Sequence, residues 1–162
     1  PPGNVVNIMD HTTKLACRWD SAEMMNTGLQ AGTDTIVEIP ITRFPVDLYF
    51  CPDPDEILIG PPRTVQRHTS FIDGVDLFDF QYFEISKNEA TGMGPLQRQV
   101  LDVGGTLMHN QGMPKSYANR KSHHAGCSVG LDKDDFPFMP QPEGGSSVNA
   151  LAIIANRFSF VF

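Results

Sequence analysis

Three cysteines and two adjacent histidines are the residues of this sequence whose types best suit chemistry. Cys127 follows His123 and His124 closely enough for the three to be considered as metal ligands, whereas Cys17 and Cys51 lie far from them in sequence. Adjacent residues of an extended chain point to opposite faces, so both imidazoles cannot easily reach one ion together with that thiol. No second cysteine or histidine cluster completes the four ligands of a structural zinc site. The sequence therefore predicts no metal site.

Two acidic stretches raise the question of a cation-binding or general-acid site. Asp53 and Asp55 alternate with prolines, but they lack the glycine and the distant glutamate of a calcium-binding EF-hand loop. The composition around them is typical of a loop. Residues 132–135 have the composition of an acidic turn. We predict that both stretches are solvated surface and that neither is catalytic.

The overall composition limits the classes of protein to consider. The chain of 162 residues has a net charge of −7, whereas nucleic-acid binding usually needs a basic face, so no nucleic-acid partner is predicted. Its 40% of hydrophobic residues suffices for the core of one domain, which we expect to span residues 1–162 with no second domain. Because no apolar run reaches about 18 residues, no membrane span is expected. The widely spaced cysteines indicate free thiols in an intracellular reducing compartment, cytoplasm or plastid.

The middle of the chain carries the clearest local structural signals. Ser86 and Glu89 fit a capping box, in which the Ser86 hydroxyl accepts from the Glu89 amide and the Glu89 carboxylate reaches back to the Ser86 amide. Pro95 suits the first position of a second helix, where its missing N–H costs nothing. An apolar stripe continues that helix through Leu96, Val100, Val103 and Leu107. We predict a short helix, a Gly-Pro joint and an amphipathic helix, the last weakened by Gly104 and Gly105.

Weaker signals indicate the elements that precede this region. Residues 5–9 are apolar and suggest a first strand, and residues 36–39 suggest another short strand. Ser21 can cap a helix over residues 22–30. The side chains expected on the inward face of that helix are those of Met24, Met25 and Leu29.

The two ends of the chain carry signals of a different kind. Ser146 or Ser147 can cap a last helix with a broad apolar face, but residues 158–162 also alternate like a strand, so periodicity leaves both open there. The chain begins at Pro1 and finishes on Phe162, with three aromatic residues in its last five. Because domain termini usually lie at the surface, we expect a fragment of a longer protein.

The middle of the chain resembles the N-terminal part of the β-ketoacyl synthases of type I polyketide synthases. The run FIDGVDLFDFQYFEISKNEATGMGPLQRQVLDV agrees with the characteristic run of that family in one register and without a gap. The matching residues are Phe71, Asp73, Val75, Asp76, Phe78, Asp79, Phe83, Ile85, Ser86, Glu89, Ala90, Met93, Pro95, Gln97, Arg98, Leu101, Asp102 and Val103. So many matches in one register are far more specific than a short motif.

The resemblance continues outside this run, with some departures. Residues 15–19 are similar to the family's A-C-R-F motif, and residues 149–161 to one of its helices. In a Pro- and Asp-rich loop that also matches, Cys51 stands for an aspartate. The family commonly has Ala-Trp at Gly104 and Gly105, so the lost volume must be refilled from elsewhere or the helix packs differently. The stretches FIDGVDLFDF and SHHAGCSVGLDKDDFP resemble the divergent polyketide synthases of unicellular algae.

The resemblance implies a fold and an activity. The fold is α/β and thiolase-like, and this chain would be the N-terminal portion of its α-β-α-β-α layers, truncated before the catalytic cysteine. The activity is that of an acyltransferase, the decarboxylative Claisen condensation of an acyl thioester with a malonyl-type extender. The nucleophilic cysteine and two histidines are expected beyond Phe162, so no catalytic residue is assigned in this chain. Gly130 and Leu131 match the loop that helps line the acyl-chain pocket and are predicted to contact substrate.

Partners follow from the same resemblance. No bound cofactor is expected, because the substrates are carried on the phosphopantetheine arm of an acyl carrier protein. That carrier is one expected partner, and a second copy of the protein, bound through the helix region 147–162, is the other. Lys115, Arg120 and Lys121 could form a docking patch for an acidic carrier, but we favour an ordinary exposed basic loop. Two alternatives stay open: a non-condensing, chain-length-factor type partner or carrier-binding module, and an independent binding domain.

Overall fold

The computed structural model describes residue 3 and residues 5–58, 61–115, 126–132, 136 and 151–162. Its helices are α1 (Ala22–Gln30), α2 (Lys87–Gly92), α3 (Pro95–Asn110) and α4 (Leu151–Val161), and its strands are β1 (Val37–Glu38) and β2 (His68–Thr69). Short 3-10 turns cover Ala16–Arg18, Val46–Leu48 and Pro54–Leu58. The chain divides into a major unit, Pro1–Thr13 with Gly74–Phe162, and a minor unit, Lys14–Asp73. A single domain over residues 1–162 stays a prediction.

Helix α1 of the minor unit begins where its capping residue predicts. The Ser21 hydroxyl accepts a hydrogen bond from the Met24 amide at 3.2 Å. The predicted inward face is wrong for Met24 and Leu29, which are 56% and 63% exposed, whereas Met25 is half-buried. The buried position is Gly28, where an added Cβ would come within 2.4 Å of the Trp19 ring. The buried contact of α1 is thus made by a glycine, whose lack of a side chain leaves room for the indole. A pattern of apolar side chains does not indicate such a contact.

The strands of the minor unit form one two-stranded antiparallel ladder. Val37 lies opposite Thr69, and the Ile39 amide donates to the Arg67 carbonyl at 2.9 Å just beyond the ladder. The predicted strand at 36–39 is therefore present in shortened form.

The strand predicted at residues 5–9 is wrong for the described structure. The segment has no regular secondary structure, and Val5, Val6 and Ile8 are 82–88% exposed. A strand needs a neighbour to accept its backbone hydrogen bonds, and no described segment pairs with this one. Just after it, the Thr12 hydroxyl donates to the Val103 carbonyl of α3 at 3.2 Å.

The predicted short helix, joint and longer helix are all present in the major unit. The Ser86 hydroxyl accepts from the Glu89 amide at 3.2 Å, and Pro95 lies in the first turn of α3. The Arg98 guanidinium closes the joint by donating to the Met93 carbonyl through two nitrogens, at 3.0 and 2.8 Å. These contacts fix how α3 follows α2.

The buried face of α3 is not the predicted apolar stripe. Gln97, Leu101 and Gly105 are buried at spacings of four, whereas the stripe from Leu96 to Leu107 is only half-buried. The buried face is rotated about the helix axis relative to the predicted stripe. The cause is that the two glycines of α3 leave room on their side of the helix for aromatic rings from elsewhere in the major unit. The cluster around it contains Phe83, Ile85, Ala90, Met93, Leu101 and Val161, with Phe78, Phe80, Phe158 and Phe162 packed against them.

The last described element resolves the choice that periodicity left open. Residues Leu151–Val161 form a helix, as the family resemblance favours. Ile154 and Val161 are 2% and 4% exposed, whereas Phe160 is 89% exposed. The capping serines proposed for this helix, Ser146 and Ser147, lie outside the described residues.

Candidate functional site

Helix α4 packs on a surface of α2 and α3 that we call the α4 seat, formed by Glu89, Met93, Gly104 and Gly105. One end of the contact is ionic. The Arg157 guanidinium donates to the Glu89 carboxylate and lies 3.7 Å from the Met93 sulfur, with only 11% of the Arg157 side chain exposed. The sequence predicts that the Glu89 carboxylate accepts from the Ser86 amide. In the structure that carboxylate instead accepts from Arg157, which lies 68 residues later in the chain.

The other end of the seat is a notch in α3 made by its two glycines. An added Cβ on Gly104 would come within 2.1 Å of the Phe158 ring. On Gly105 it would lie 3.2 Å from both the Phe162 ring and the Phe83 ring. These rings therefore fill the space that side chains at the two positions would need.

Lys115 fixes the turn that presents Phe83 to the seat. The Lys115 side chain is buried, its Nζ donates to the Phe83 carbonyl at 2.6 Å, and it lies 3.1 Å from the Glu84 carboxylate. Glu84 has a φ of 55°, a left-handed conformation that non-glycine residues rarely adopt without support. The expectation of an exposed basic loop is therefore wrong for Lys115, while Arg120 and Lys121 lie outside the described residues.

In the minor unit, Arg67 holds together a surface groove. Its NH2 group donates to Glu38 at 2.9 Å and to Asp47 at 2.7 Å, and its guanidinium carbon lies 4.8 Å from the centre of the Phe50 ring. The hydrogen bond with Glu38, helped by the charge of Asp47, raises the pKa of Arg67 above its ordinary value. The groove beside it measures about 520 Å³ and is lined by residues 38–41 and 44–48.

The three cysteines are free and occupy different environments. Cys17 and Cys127 are exposed, and Cys51 is buried. The Cys51 thiol donates to the Asp53 carbonyl at 3.4 Å and to the Glu56 carboxylate at 3.6 Å, while Arg63 donates to its sulfur at 3.8 Å. Cys51 therefore serves as a hydrogen-bonding group of the loop in which the resemblance places an aspartate.

The described residues contain neither a cluster of metal ligands nor a helix suited to span a membrane. Within them, no three His, Cys, Asp or Glu side chains lie close enough together to hold an ion. His123 and His124 lie outside that part of the chain, so the absence of a metal site there stays a prediction. None of the helices in the described ranges is both long and apolar enough to cross a bilayer. Asp53, Asp55 and Asp132 are exposed, as expected of solvated acidic loops.

A comparison of the sequence with protein families decides which family this is. The profile of the β-ketoacyl synthase N-terminal domain matches residues 15–161. The chain belongs to the β-ketoacyl synthase family. The match covers nearly the whole chain, including the run from Phe71 to Val103 that carries the resemblance.

Relatives of this ketosynthase chain are synthases of much greater length. Erythronolide synthase EryA3 of Saccharopolyspora erythraea is 35% identical over 159 residues, covering 91% of this chain and 5% of that protein. Orsellinic acid synthase armB of Armillaria mellea is 34% identical over 110 residues, covering 67% of this chain and 5% of that protein. The ketosynthase chain thus spans only about one twentieth of the length of these relatives.

Solved ketosynthases share the fold of this chain. The oxazolomycin ketosynthase domain OzmH KS7 of Streptomyces albus superposes with a TM-score of 0.73 at 22% identity, over 91% of this chain and 26% of that chain. The ketosynthase from module 6 of the bacillaene synthase of Bacillus subtilis gives a TM-score of 0.67 at 22% identity, over 86% and 21%. The predicted thiolase-like α/β fold is therefore confirmed, and this chain corresponds to part of it.

The structure of the ketosynthase chain does not bring its predicted substrate contacts together with other candidate residues. Gly130 is exposed and Leu131 is half-buried. Among the described residues, no atom lies within 4 Å of the position that a Cβ on Gly130 would take. Contact of these two residues with substrate stays a prediction.

Sequence reasoning missed the Arg157–Glu89 pair and the buried role of Lys115. A signal for the first was available. Arg157 is the only charged residue in the sequence of α4, and a lone arginine in an apolar helix predicts a partner of opposite charge. No sequence signal predicts that Lys115 is buried. Its partners are a backbone carbonyl and a residue of a turn, and these come together only in the folded chain.

Proposed function

We propose that the protein to which this chain belongs is a condensing enzyme of polyketide synthesis. The observation that carries the proposal is the continuous match to the β-ketoacyl synthase N-terminal domain over residues 15–161. Relatives that are named as polyketide synthases support it, as does the ketosynthase fold.

The proposed reaction has two stages. A cysteine thiolate attacks the thioester carbonyl of an acyl group on the carrier's phosphopantetheine arm, and the carrier thiol leaves. A malonyl-type extender on a carrier then loses CO2. The resulting carbanion attacks the acyl-cysteine carbonyl, a carbon–carbon bond forms, and the cysteine thiolate leaves. Amide donors and two imidazoles would stabilise the negative charge that develops on the oxygens.

The proposal places the nucleophilic cysteine and both histidines after Phe162 in sequence and assigns none of the chain's own cysteines to that role. Cys51 supports this assignment, because its buried thiol is engaged with the Asp53 carbonyl and the Glu56 carboxylate. Gly130 and Leu131 are proposed to contact the acyl chain.

The proposed partners are an acyl carrier protein and a second copy of the protein. The homodimer would form through the region 147–162, and the exposed Phe160 of α4 supplies an apolar group for such a contact. The proposed compartment is an intracellular reducing one, cytoplasm or plastid, which the three free cysteines support.

The test uses the full-length protein with an acyl thioester and a malonyl-loaded carrier. Mass spectrometry is expected to find the acyl group on a cysteine outside residues 1–162, and to find a carrier product in which the acyl group has replaced the carboxyl group of the malonyl extender. Cys17→Ser and Cys127→Ser variants are the matched controls and are expected to retain acylation. Decarboxylation without an acyl-cysteine would instead indicate the non-condensing, chain-length-factor type. Acylation of Cys17, Cys51 or Cys127 would contradict the assignment.

A further inference from the structure

We infer that Arg157 and Glu89 are positioning residues of the condensing reaction. Their ion pair selects the register of α4, that is, the position along its own axis at which α4 docks on the α4 seat. The inference rests on the proposed function, which places the nucleophile in the sequence that follows Phe162. It concerns the α4 seat alone, and each of its contacts lies within the major unit.

The aromatic contacts of the seat do not by themselves define one register. Phe158 lies in α4, and Phe162 follows its last residue with its amide donating to the Phe158 carbonyl at 3.1 Å, so both side chains project from the same side. If α4 slid by one turn, about 5.4 Å, Phe162 would take the place of Phe158 at the Gly104 notch. A ring would then still fill the notch. The aromatic contact at Gly104 therefore does not by itself distinguish these two positions of the helix.

The ionic contact does not share this ambiguity. A slide of one turn would put Ile153 or Val161 where Arg157 now meets Glu89. Since Arg157 is the only charged residue of α4, no other position of the helix can supply a cation to Glu89. In a slipped register the largely buried arginine would lose its partner carboxylate and the Met93 contact. A polar group that fixes one register among several apolar ones is a known use of buried charge.

Register matters here because α4 leads to the end of the described chain at Phe162. A slide of one turn would move Phe162, and the residues that follow it, by about 5.4 Å. Catalytic geometry tolerates far less, since a displacement of about 1 Å can cost about 100-fold in rate. Arg157 and Glu89 would therefore act on the rate of acyl transfer and not on affinity for the carrier.

The experiment compares full-length protein with Arg157→Met, Arg157→Lys and Glu89→Gln variants. Asn156→Ala is the matched control, because Asn156 is the exposed neighbour of Arg157 on α4. We expect Arg157→Met and Glu89→Gln to lower kcat by about 10-fold or more at unchanged KM for the carrier. We expect Arg157→Lys to recover much of that loss. Asn156→Ala is expected to match the wild type.

A second readout reports the register without relying on activity. Gly104 lies against the Phe158 ring and Gly105 against the Phe162 ring, and a slide would give Gly104 a different ring and take the Phe162 ring away from Gly105, so both resonances of a glycine-selectively ¹⁵N-labelled protein report the register. We expect the two charge-removing variants to show a second Gly104 signal and the lysine variant to show one. Folded variants with one unchanged signal and wild-type kcat would overturn the inference.

The two readouts also separate this inference from the proposed function. If the wild type forms no β-ketoacyl product, the proposed function fails, while the Gly104 signals still test the register. If Arg157→Met does not fold, Glu89→Gln decides, because Glu89 is 42% exposed and the change keeps its shape. An unchanged Gly104 signal in folded Glu89→Gln would count against register selection.

Discussion

The ring of Phe158 lies where the side chain of residue 104 would begin. Its Cε2 atom is 2.1 Å from the position of a Cβ on Gly104, too close for any real side chain. Glycine inside a helix normally weakens it by about 0.5–1 kcal/mol relative to alanine. Here the same glycine is what allows α4 to pack against α3. A residue that looks unfavourable in the helix is thus favourable in the packed structure.

The first prediction concerns Gly104→Ala. Alanine should strengthen α3 by about 1 kcal/mol through helix propensity, but overpacking against Phe158 should cost about 1–3 kcal/mol. We therefore expect a lower free energy of unfolding, measured by urea denaturation. Thr106→Ala is the matched control on an exposed position of the same helix and should be neutral or stabilising. Adding Phe158→Leu to Gly104→Ala should recover stability, and a stabilising Gly104→Ala alone would show that the notch is not filled.

Removal of the buried amine of Lys115 is the second prediction. Lys115→Met keeps the length of the side chain but leaves the Phe83 carbonyl without this donor. The expected loss is about 1–3 kcal/mol, the cost of an unsatisfied buried polar group. Thermal and chemical denaturation would measure it. The exposed Lys87 provides the matched control, and Lys87→Met should change stability little. Equal effects at both positions would contradict a specific role for Lys115.

A third prediction tests the two helix caps. Ser86→Ala and Ser21→Ala each remove a hydroxyl that accepts from a backbone amide, and each should cost about 1 kcal/mol. Ser159→Ala changes a serine of α4 that is exposed and does not cap, so it serves as the control. Far-UV circular dichroism during denaturation would report the differences. No loss at Ser86 would mean that Glu89 and the packing of α4 already hold the start of α2.

The pH dependence of Asp10 gives the fourth prediction. The hydrogen bond from the His11 amide, at 2.8 Å, lowers the pKa of the Asp10 carboxyl below its ordinary value, with smaller help from Asn110 and Gln111. A carboxyl whose pKa is lower in the folded state stabilises the protein above its unfolded pKa of about 3.9, and that contribution is lost as the pH falls through the folded value. Carboxyl titration by NMR should place the Asp10 midpoint below that of an unfolded peptide.

The same prediction has a variant that checks it. Asp10→Asn should be less stable than the wild type at neutral pH, and the difference should shrink as the pH falls through the folded pKa of Asp10. Asp20→Asn is a control for the general loss of a negative charge. A difference that does not depend on pH would mean that the His11 contact does not favour the charged carboxylate.

Elements with a chemical start signal were predictable from the sequence. Ser21, Ser86 and Pro95 each act through neighbours within one helical turn, so their patterns placed α1, α2 and α3 correctly. The family resemblance likewise predicted α4 and the thiolase-like fold.

The errors concern contacts between residues that are more than two helical turns apart in sequence. Residues 5–9 have the composition of a strand, but composition cannot supply the neighbour that a strand needs. The inward face of α1 and the apolar stripe of α3 were misplaced because Trp19 and Phe158 pack against glycines, which carry no apolar side chain to count. The Glu89 carboxylate was assigned to its own helix because Arg157 lies too far along the chain for a local pattern.

The glycine pair of α3 also bears on the order in which this part of the chain folds. Two adjacent glycines lower the helicity of an isolated α3, and helix formation has a costly nucleus. The ring that compensates at Gly104 is that of Phe158, 54 residues later in sequence, so distant parts of the chain must meet before it arrives. We therefore expect the C-terminal half of α3 to become stable only as α4 docks. In kinetic terms, Phe158 and the residues around the glycine pair should have similar Φ-values, as members of one cooperative folding step.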